Sequence, residues 1–343
     1  MGVRVTPSCD SINTVVVCNA PNIQQMPDVA FGDSNYMAVW SDGRAGLIYR
    51  IYAGRVTPAG TVLDPVGFQV GPSNNLYHYY PSIAFNGTRF FVVWAYGSTP
   101  YDLMGRFINT DGTLGDTISI LKPGNPTYTT RLAFDGTNFL LAWVEYTGST
   151  FDLKGLTISG ATGAPIGVSF TIASNVYYDN SVGLCYSAPY YQITYSTIQG
   201  STNQIFGRFY NTSGQPVDSA FQISNSTYNC YQCGVTPGSG DHFLNIWSEA
   251  RSTWDIYGNT DIQTGIANQD VRKPSHWNTG PTIFTNATRW HYADRGRAVV
   301  YRADGRKIGI GENGFYDSSR LGSGVYFLVT ETGETIRAVI IGR

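Results

Sequence analysis

The acidic residues are the side chains of this 343-residue sequence that could do catalytic chemistry. Glycoside hydrolysis needs two or three carboxylates that converge on one site. Glu145 and Glu249 are the best candidates, since each lies just past an aromatic residue and is not repeated along the chain. Asp102, Asp152 and Asp255 recur at one place, where an aspartate more often caps a turn through backbone N–H groups. We therefore predict that neither glutamate is catalytic.

Histidine and cysteine give no further catalytic site. The histidines have no metal-ligand spacing, and they are His78, His242, His276 and His291. Cys230 and Cys233 have the spacing of a redox motif but lack its βαβ context. We expect one or two disulfides in an oxidising compartment, and a free apolar Cys185. There is no nucleophile elbow, P-loop or dinucleotide fingerprint, so the sequence predicts no enzyme, no metal and no cofactor.

A segment that recurs five times, about fifty residues apart, must position any functional residue. Its aromatic landmarks, separated by 54, 49, 52 and 52 residues, are Trp40, Trp94, Trp143, Tyr195 and Trp247. Its glycine landmarks, separated by 51, 50, 52 and 51 residues, are Gly54, Gly105, Gly155, Gly207 and Gly258. A period of this length is typical of solenoids, propellers and arrays.

Each copy holds four short apolar runs separated by turn residues such as Asn86-Gly87 and Asp135-Gly136. These pairs accept the positive φ of tight hairpins, and no stretch shows sustained helical periodicity. One copy therefore predicts a four-stranded antiparallel meander, the usual propeller blade. The β-helix is the main alternative, but its coils are shorter and its strands parallel. We predict an all-β chain that begins with a five-bladed β-propeller.

The aromatic landmark at the end of each second strand allows two interpretations. A series of such rings could stack on carbohydrate. Because the ring recurs at the same place in every blade, packing between blades is favoured. The five landmark aromatics are therefore predicted to be structural and buried.

The N-terminal segment indicates how the ring closes. Residues 2–7 resemble Gly54–Pro58, and residues 15–18 precede the first full blade where a fourth strand would lie. We predict that residues 12–18 complete the fifth blade, which would remove open sheet edges.

Composition indicates the compartment and excludes some partners. The net charge of −2 disfavours nucleic acid and anionic membranes as electrostatic partners. Charged residues form 13% of the chain, about half the usual share, and there is no apolar run long enough to span a membrane. This balance suits an extracellular or cell-surface protein. Tyrosines cluster in predicted loops, as at Tyr77, Tyr79, Tyr177 and Tyr231, where they suit a glycan or partner surface as well as packing on neighbouring loops.

The last part of the chain changes pattern. Residues 297–308 predict two strands joined by an Asp304-Gly305 turn, and two further strands follow from Leu321 and Thr335. This order closely resembles the C-terminal sorting domain of bacterial type IX secretion cargo. The matching residues are Val300, Tyr301, Asp304, Gly305, Arg306, Leu321, Gly324, Val325, Tyr326 and Arg343. The resemblance implies export across an outer membrane, and the repeats more loosely resemble propeller repeats of secreted bacterial proteins.

These observations give one prediction for the whole chain. Residues 1–262 form the propeller, 263–280 a linker, and 281–343 a small antiparallel β-sandwich domain. The leading function is a non-enzymatic structural or adhesive protein at the cell surface, a filament subunit that assembles as a homo-oligomer or polymer through the C-terminal domain. A glycan-binding module is the alternative, and a glycoside hydrolase comes third.

Overall fold

The computed structural model describes these residues: 1–5, 11–46, 48–98, 101–178, 181–237, 242–251, 254–262, 282–284, 289–291, 297–302, 307–312, 315–317, 324–330 and 335–340. The chain divides into two compact units, Met1–Thr6 with Ser11–Ile266, and Pro7–Asp10 with Ala267–Arg343. Every regular element in these ranges is a β-strand, which confirms the all-β prediction. None of the described residues forms a helix able to cross a membrane.

The first unit contains five antiparallel sheets in which strands consecutive in sequence pair with each other. Two N-terminal strands, β1 (Gly2–Val5) and β2 (Ser11–Val15), precede them. Blade 1 contains β3 (Gln24–Gly32), β4 (Asn35–Asp42), β5 (Arg50–Val56) and β6 (Phe68–Gln69). Blade 2 contains β7 (Tyr77–Phe85), β8 (Arg89–Gly97), β9 (Asp102–Asn109) and β10 (Leu114–Leu121).

Blades 3 to 5 continue the same meander. Blade 3 contains β11 (Thr127–Phe134), β12 (Asn138–Tyr146), β13 (Phe151–Ser159) and β14 (Pro165–Ser174). Blade 4 contains β15 (Val182–Ser187), β16 (Tyr190–Gln199), β17 (Thr202–Tyr210) and β18 (Phe221–Gln222). The described part of blade 5 contains β19 (Asn229–Pro237), β20 (His242–Ala250) and β21 (Trp254–Ile262). The five-bladed propeller predicted from the repeat is confirmed.

The N-terminal strands pair differently from the prediction. Ser11–Val15 pairs with Gly2–Val5 in a two-stranded antiparallel sheet, whereas the prediction paired residues 12–18 with blade 5. Closing a short local loop costs less conformational entropy than pairing segments far apart in sequence. Ser11–Val15 therefore pairs in this local hairpin and not with blade 5.

Turn residues and glycines explain why each repeat folds into one blade. Asp135 Oδ1 accepts hydrogen bonds from the backbone N–H groups of Thr137 and Asn138, and Gly136 has a φ of 98°, as a tight hairpin requires. The third-strand glycine makes room for an aromatic ring: a Cβ at Gly155 would lie 2.6 Å from Phe170. The recurring glycine is therefore a packing requirement.

The core lies between successive blades, because alternate residues of each second strand face opposite neighbours. In β8, Phe90 and Trp94 pack in the cluster with blade 1, whereas Phe91 and Val93 pack in the cluster with blade 3. On the sheet face of blade 1 that does not pack on blade 2, Phe31 is 51% exposed. On the sheet face of blade 5 that does not pack on blade 4, Ile246 is 45% exposed. The described residues therefore bury the sheets of blades 2 to 4 more fully than those of blades 1 and 5.

The second unit contains a five-stranded sheet and a two-stranded sheet. Its strands are β22 (Thr282–Phe284), β23 (Arg289–His291), β24 (Ala298–Arg302), β25 (Lys307–Gly311), β26 (Phe315–Asp317), β27 (Gly324–Thr330) and β28 (Thr335–Ile340). β24 pairs with β25 and β27, and β27 with β28, all antiparallel. β22 is parallel to β28, so the larger sheet is mixed rather than purely antiparallel.

Candidate functional site

A β-bulge interrupts the first strand of four blades at the same place. The register with the second strand shifts there in β3, β7, β11 and β19. The bulged residues Met26, Tyr80, Thr129 and Gln232 have φ values of 53°, 54°, 40° and 47°. Positive φ is uncommon outside glycine, and for a β-branched residue such as threonine it is an outlier. Bulges of this kind re-aim side chains and are frequent beside functional sites.

Aromatic side chains surround these bulges and form one continuous series, which we call the aromatic arc. Its members are Tyr49, Tyr77, Tyr79, Tyr80, Tyr101, Tyr128, Tyr146, Phe151, Tyr177, Tyr178, Tyr231 and Trp254. Each ring contacts another member at a centroid distance of 4.5–6.1 Å. The arc therefore passes without a break from the β4–β5 loop of blade 1 to blade 5.

The strand directions place the arc at one end of the sheets. In an antiparallel meander the first and third strands begin at the end where the second strand finishes. Tyr128 lies near the start of a first strand, Phe151 and Trp254 begin third strands, and Tyr146 ends a second strand. The bulges lie at this same end, so the arc borders the end where the inner strands begin.

The rings of the arc are both accessible and polar at their edges. Tyr178 is 43% and Trp254 is 64% exposed, and the others are half-buried. Burial and the neighbouring Tyr101 and Tyr77 raise the pKa of Tyr79 to about 12. The Tyr79 hydroxyl therefore stays protonated and can donate a hydrogen bond across the physiological pH range.

Below the arc, side chains of the first strands form hydrogen bonds to the next blade. We call this row of side chains, Asp28, Ser82 and Arg131, the wall. Asp28 Oδ2 accepts hydrogen bonds from Ser82 Oγ at 2.8 Å and from the Ile83 N–H at 3.0 Å. Ser82 Oγ in turn accepts the Leu132 N–H at 3.1 Å. Arg131 Nε donates to the Val182 carbonyl at 2.9 Å. These three equivalent positions therefore join the inner strands of blades 1 to 4.

A small pocket lies at the top of this wall. It is lined by Met26, Pro27, Tyr80, Pro81 and Arg131 and has a volume of about 30 Å³. Its lining comes from two bulged residues, the prolines that follow them, and Arg131, which lies two residues after the bulged Thr129. The pocket is thus a product of the bulges, which the repeat spacing does not reveal.

The five landmark aromatics lie near this same end of the second strands, but they are buried. The exposed fractions of Trp40, Trp94, Trp143, Tyr195 and Trp247 are between 0% and 8%. Trp94, Trp143, Tyr195 and Trp247 belong to clusters with the preceding blade. Trp40 instead packs on its own blade, over Gly54 and Gly67. In these positions none of the rings can stack on a ligand.

The acids two residues after these aromatics are held by local partners. Glu249 is 2% exposed, accepts Ser226 Oγ at 2.6 Å and pairs with Arg251 at 2.8 Å. Glu145 is half-buried and accepts Asn125 Nδ2 at 2.8 Å. Both carboxylates therefore have structural partners, and the structure does not bring the two glutamates together in one described pocket.

Asp42 takes the equivalent place in blade 1. Burial opposes its ionisation, but hydrogen bonds from Arg44 and Trp40 outweigh burial and hold the pKa of Asp42 below its usual value. Of the repeated aspartates, Asp102 lies 3.9 Å from Lys122 and Asp152 lies 3.5 Å from Lys154. These acids form ion pairs, which the turn-capping interpretation did not include.

Cys185 is a free, buried residue as predicted, whereas the expectation of disulfides fails for the cysteines that the structure describes. Cys18, Cys185, Cys230 and Cys233 are all free, so among the described cysteines the expected disulfides are not formed. Burial raises the pKa of Cys185 to about 12 and that of Cys233 to about 11, which makes both thiols unreactive. In the described part of the chain, no group of three or more His, Cys, Asp or Glu is arranged to hold a metal ion.

The residues of the sorting motif are only partly covered by the structure. Asp304, Gly305 and Arg306 lie outside the described residues. Gly324, Val325 and Tyr326 form the start of β27, which pairs with β24 and β28. The sorting interpretation and the homo-oligomer through the C-terminal domain both stay predictions.

Sequence reasoning found only part of the arc. The sequence predicts Tyr77, Tyr79, Tyr177 and Tyr231 in loops, yet Tyr77, Tyr79 and Tyr231 lie in first strands. Tyr49, Tyr101, Phe151 and Trp254 were missed as a group. The signal was present in the repeat, because each of them opens the third strand of its blade or directly precedes it.

No protein-family model and no curated protein matches the sequence. Among solved structures, an endo-arabinase from Bacteroides thetaiotaomicron is 11% identical, with a TM-score of 0.46 over 73% of this chain and 96% of that one. An arabinanase from Bacillus subtilis is 14% identical, with a TM-score of 0.43 over 70% and 95%. A GH62 α-L-arabinofuranosidase catalytic domain from Coprinopsis cinerea is 9% identical, with a TM-score of 0.43 over 75% and 94%.

These neighbours correct one prediction. The chain was expected to be a non-enzymatic structural or adhesive filament subunit, whereas the solved structures named here are glycoside hydrolases. Motif spacing bears little on such an activity, because a glycosidase pair is defined by the separation of two carboxylates in space. A likeness at this identity concerns the fold alone and assigns no catalytic residue to this chain.

Proposed function

We propose that this chain is a carbohydrate-active protein whose propeller binds glycans at the aromatic arc. The unbroken series of half-exposed rings along one end of the sheets carries the proposal. Ring faces offer apolar contact area at low entropic cost, while tyrosine hydroxyls offer hydrogen bonds. A sugar presents the matching surfaces, with apolar C–H faces and a rim of hydroxyl groups.

The structure of the arc supports binding more directly than simple loop packing does. An aromatic residue that served packing alone would be expected to bury its ring. Tyr178 and Trp254 nevertheless remain 43% and 64% exposed. The bulges also hold Met26, Tyr80, Thr129 and Gln232 at positive φ, a conformation that costs free energy and is concentrated at functional sites.

A glycan array with the purified full-length chain tests this function. We expect retention of at least one class of oligosaccharide, and loss of that retention in a Tyr128→Ala, Tyr177→Ala double variant. Tyr36 is 42% exposed and lies at the opposite end of blade 1, so Tyr36→Ala is the matched control and should bind normally. An array on which the wild-type chain retains nothing would contradict the proposal.

Hydrolysis of the bound glycan is the second candidate, and Asp28 is the observation that favours it. Asp28 is the single acidic residue on the described first strands of the five blades. It is half-buried, and its neighbour Pro27 lines the pocket below the arc. A carboxylate in this position could act as one member of a glycosidase pair, which needs a second acid about 5–10 Å away.

A screen for reducing sugars released from neutral polysaccharides tests hydrolysis. If Asp28 acts in cleavage, Asp28→Asn should abolish release while binding on the array persists, because the amide keeps an oxygen that can accept from Ser82 and Ile83. Release that persists in Asp28→Asn would assign the chemistry to other carboxylates. Binding without release from any substrate would leave the chain as a glycan-binding module.

The compartment proposed for this function is the cell exterior. The low charged fraction of 13% and the 24 tyrosines support it, as does the C-terminal resemblance to a sorting domain. Attachment of residues 263–343 to a reporter and fractionation of a type IX secreting host would test export directly. Retention of the reporter inside the cell would contradict this assignment.

A further inference from the structure

We infer, on the basis of the proposed function, that the arc binds an extended, neutral polysaccharide across several blades and does not take a chain end into the pocket below it. Three features favour this mode of binding: the continuity of the arc, the small volume of the pocket below it and the pairing of charges around it.

The first observation is that ring contacts cross the boundaries between blades. Tyr80 of blade 2 contacts Tyr128 of blade 3 at 6.0 Å, and Tyr128 contacts Tyr178, which precedes blade 4, at 6.0 Å. Tyr177 contacts Tyr231 of blade 5 at 4.5 Å. One sugar ring covers about one aromatic ring, so a series of this length offers successive stacking positions to a chain of sugars.

The second observation is that the space below the arc is small. The pocket volume of about 30 Å³ is far below the range of roughly 300–1,000 Å³ that is usual for small-molecule sites. Several polar groups of the wall already form hydrogen bonds, since Asp28 accepts one from Ser82 and Arg131 donates one to the Val182 carbonyl. A sugar chain inserted end-on would have to displace these contacts, whereas one lying along the arc would not.

The third observation concerns charge. Three acids at the arc end of the sheets pair with bases: Asp42 with Arg44 at 2.8 Å, Asp152 with Lys154 at 3.5 Å, and Glu249 with Arg251 at 2.8 Å. Asp28 and Arg131 of the wall, which carry opposite charges, hydrogen-bond to backbone groups of the next blade. Paired charges offer little attraction to an anionic ligand. An uncharged polysaccharide is therefore the class that fits.

Trp254 marks one end of the series and gives the sharpest variant. It is 64% exposed, and its ring contact with Tyr231, at 5.8 Å, joins it to the arc. Loss of this side chain removes the last stacking position and little buried area, so Trp254→Ala should fold normally.

Affinity electrophoresis in gels containing linear arabinan, xylan or mixed-linkage β-glucan, with polygalacturonate as the anionic comparison, tests the class of ligand. Calorimetry with oligosaccharides of the retained polysaccharide, from disaccharide to octasaccharide, tests the binding mode. We expect retention by a neutral polymer and affinity that rises with chain length, by roughly tenfold between disaccharide and hexasaccharide. Trp254→Ala should weaken hexasaccharide binding by roughly three- to tenfold, and Tyr36→Ala should not.

The outcomes separate this inference from the proposed function. Equal affinity for the disaccharide and the octasaccharide, or retention by polygalacturonate alone, would overturn the extended neutral mode and leave glycan binding intact. No retention by any polymer or oligosaccharide would overturn both. Length-dependent binding that is unchanged in Trp254→Ala and in Tyr128→Ala would place the polysaccharide elsewhere and overturn the assignment to the arc.

Discussion

Trp143→Ala should lower the free energy of unfolding by about 3–5 kcal/mol, as truncations of large buried aromatic residues do. Trp143 is fully buried and packs in the cluster between blades 2 and 3, with Phe91 and Phe139 among its members. Its removal leaves a cavity that two rigid sheets cannot collapse to fill. Denaturant unfolding followed by circular dichroism would measure the loss.

The matched control is Trp254→Ala, which removes the same side chain from an exposed position. Its effect on stability should stay within roughly 0.5 kcal/mol, while its effect on glycan binding should be large. Trp143→Ala should show the reverse pattern wherever the chain remains folded. Equal destabilisation by the two variants would contradict the distinction between packing aromatics and arc aromatics.

Acid should destabilise the propeller through His78, by about 3 kcal/mol between pH 7 and pH 4. The side chain is fully buried, and burial, followed by the nearby Arg50 guanidinium, lowers the pKa of His78 from 6.5 to about 4. Over this range the unfolded chain therefore binds a proton at His78, whereas the folded chain does so only as the pH approaches 4. The stabilising effect is complete above pH 6.5 and is lost as the pH falls towards 4.

Urea unfolding at pH 7, 5.5 and 4 would measure this effect, with His78→Gln as the control. The variant removes the titrating group, so its stability should change less between pH 7 and pH 4 than that of the parent chain. Asp42, whose pKa lies below its ordinary value of 3.8, stabilises the folded state at pH 7 and loses most of that contribution only below pH 3.8, so it does not obscure the window. A wild-type stability that is flat between pH 7 and pH 4 would contradict the buried neutral imidazole.

The environment of His78 shows how one blade departs from the others. Its ring stacks on Trp94 at a centroid distance of 6.3 Å and meets Tyr96 edge-on at 5.0 Å. In blades 1 and 3 the landmark tryptophan instead donates to an acid two residues on, as Trp40 does to Asp42 at 2.7 Å. Blade 2 has Tyr96 at that position, so a cluster of neutral aromatic rings replaces the hydrogen bond between the indole and a carboxylate.

Glycan binding and stability depend on different parts of the same strands. Residues of the second strand that alternate between neighbouring blades build the core, and residues at the strand ends build the arc. A variant in one set should therefore leave the property carried by the other set unchanged. This separation allows binding to be tested without loss of the fold.

The sequence by itself determined the number of blades, their four-stranded plan and the turns between strands. These features depend on local properties: a period of about fifty residues, short apolar runs, and turn residues such as Asp135-Gly136 that accept positive φ. The third-strand glycines were also visible as landmarks, although only the packed neighbour, such as Phe170 over Gly155, explains them.

Only the tertiary structure decided the candidate site. Asp28 and Ser82 are 54 residues apart in sequence, and their hydrogen bond exists because two inner strands lie side by side. The bulges at Tyr80 and Thr129 break the period-two alternation of a strand, so the apolar pattern could not tell which way the adjoining tyrosines point. Residues from five blades meet in one arc because the ring brings equivalent strand ends together, a long-range arrangement that no local pattern specifies.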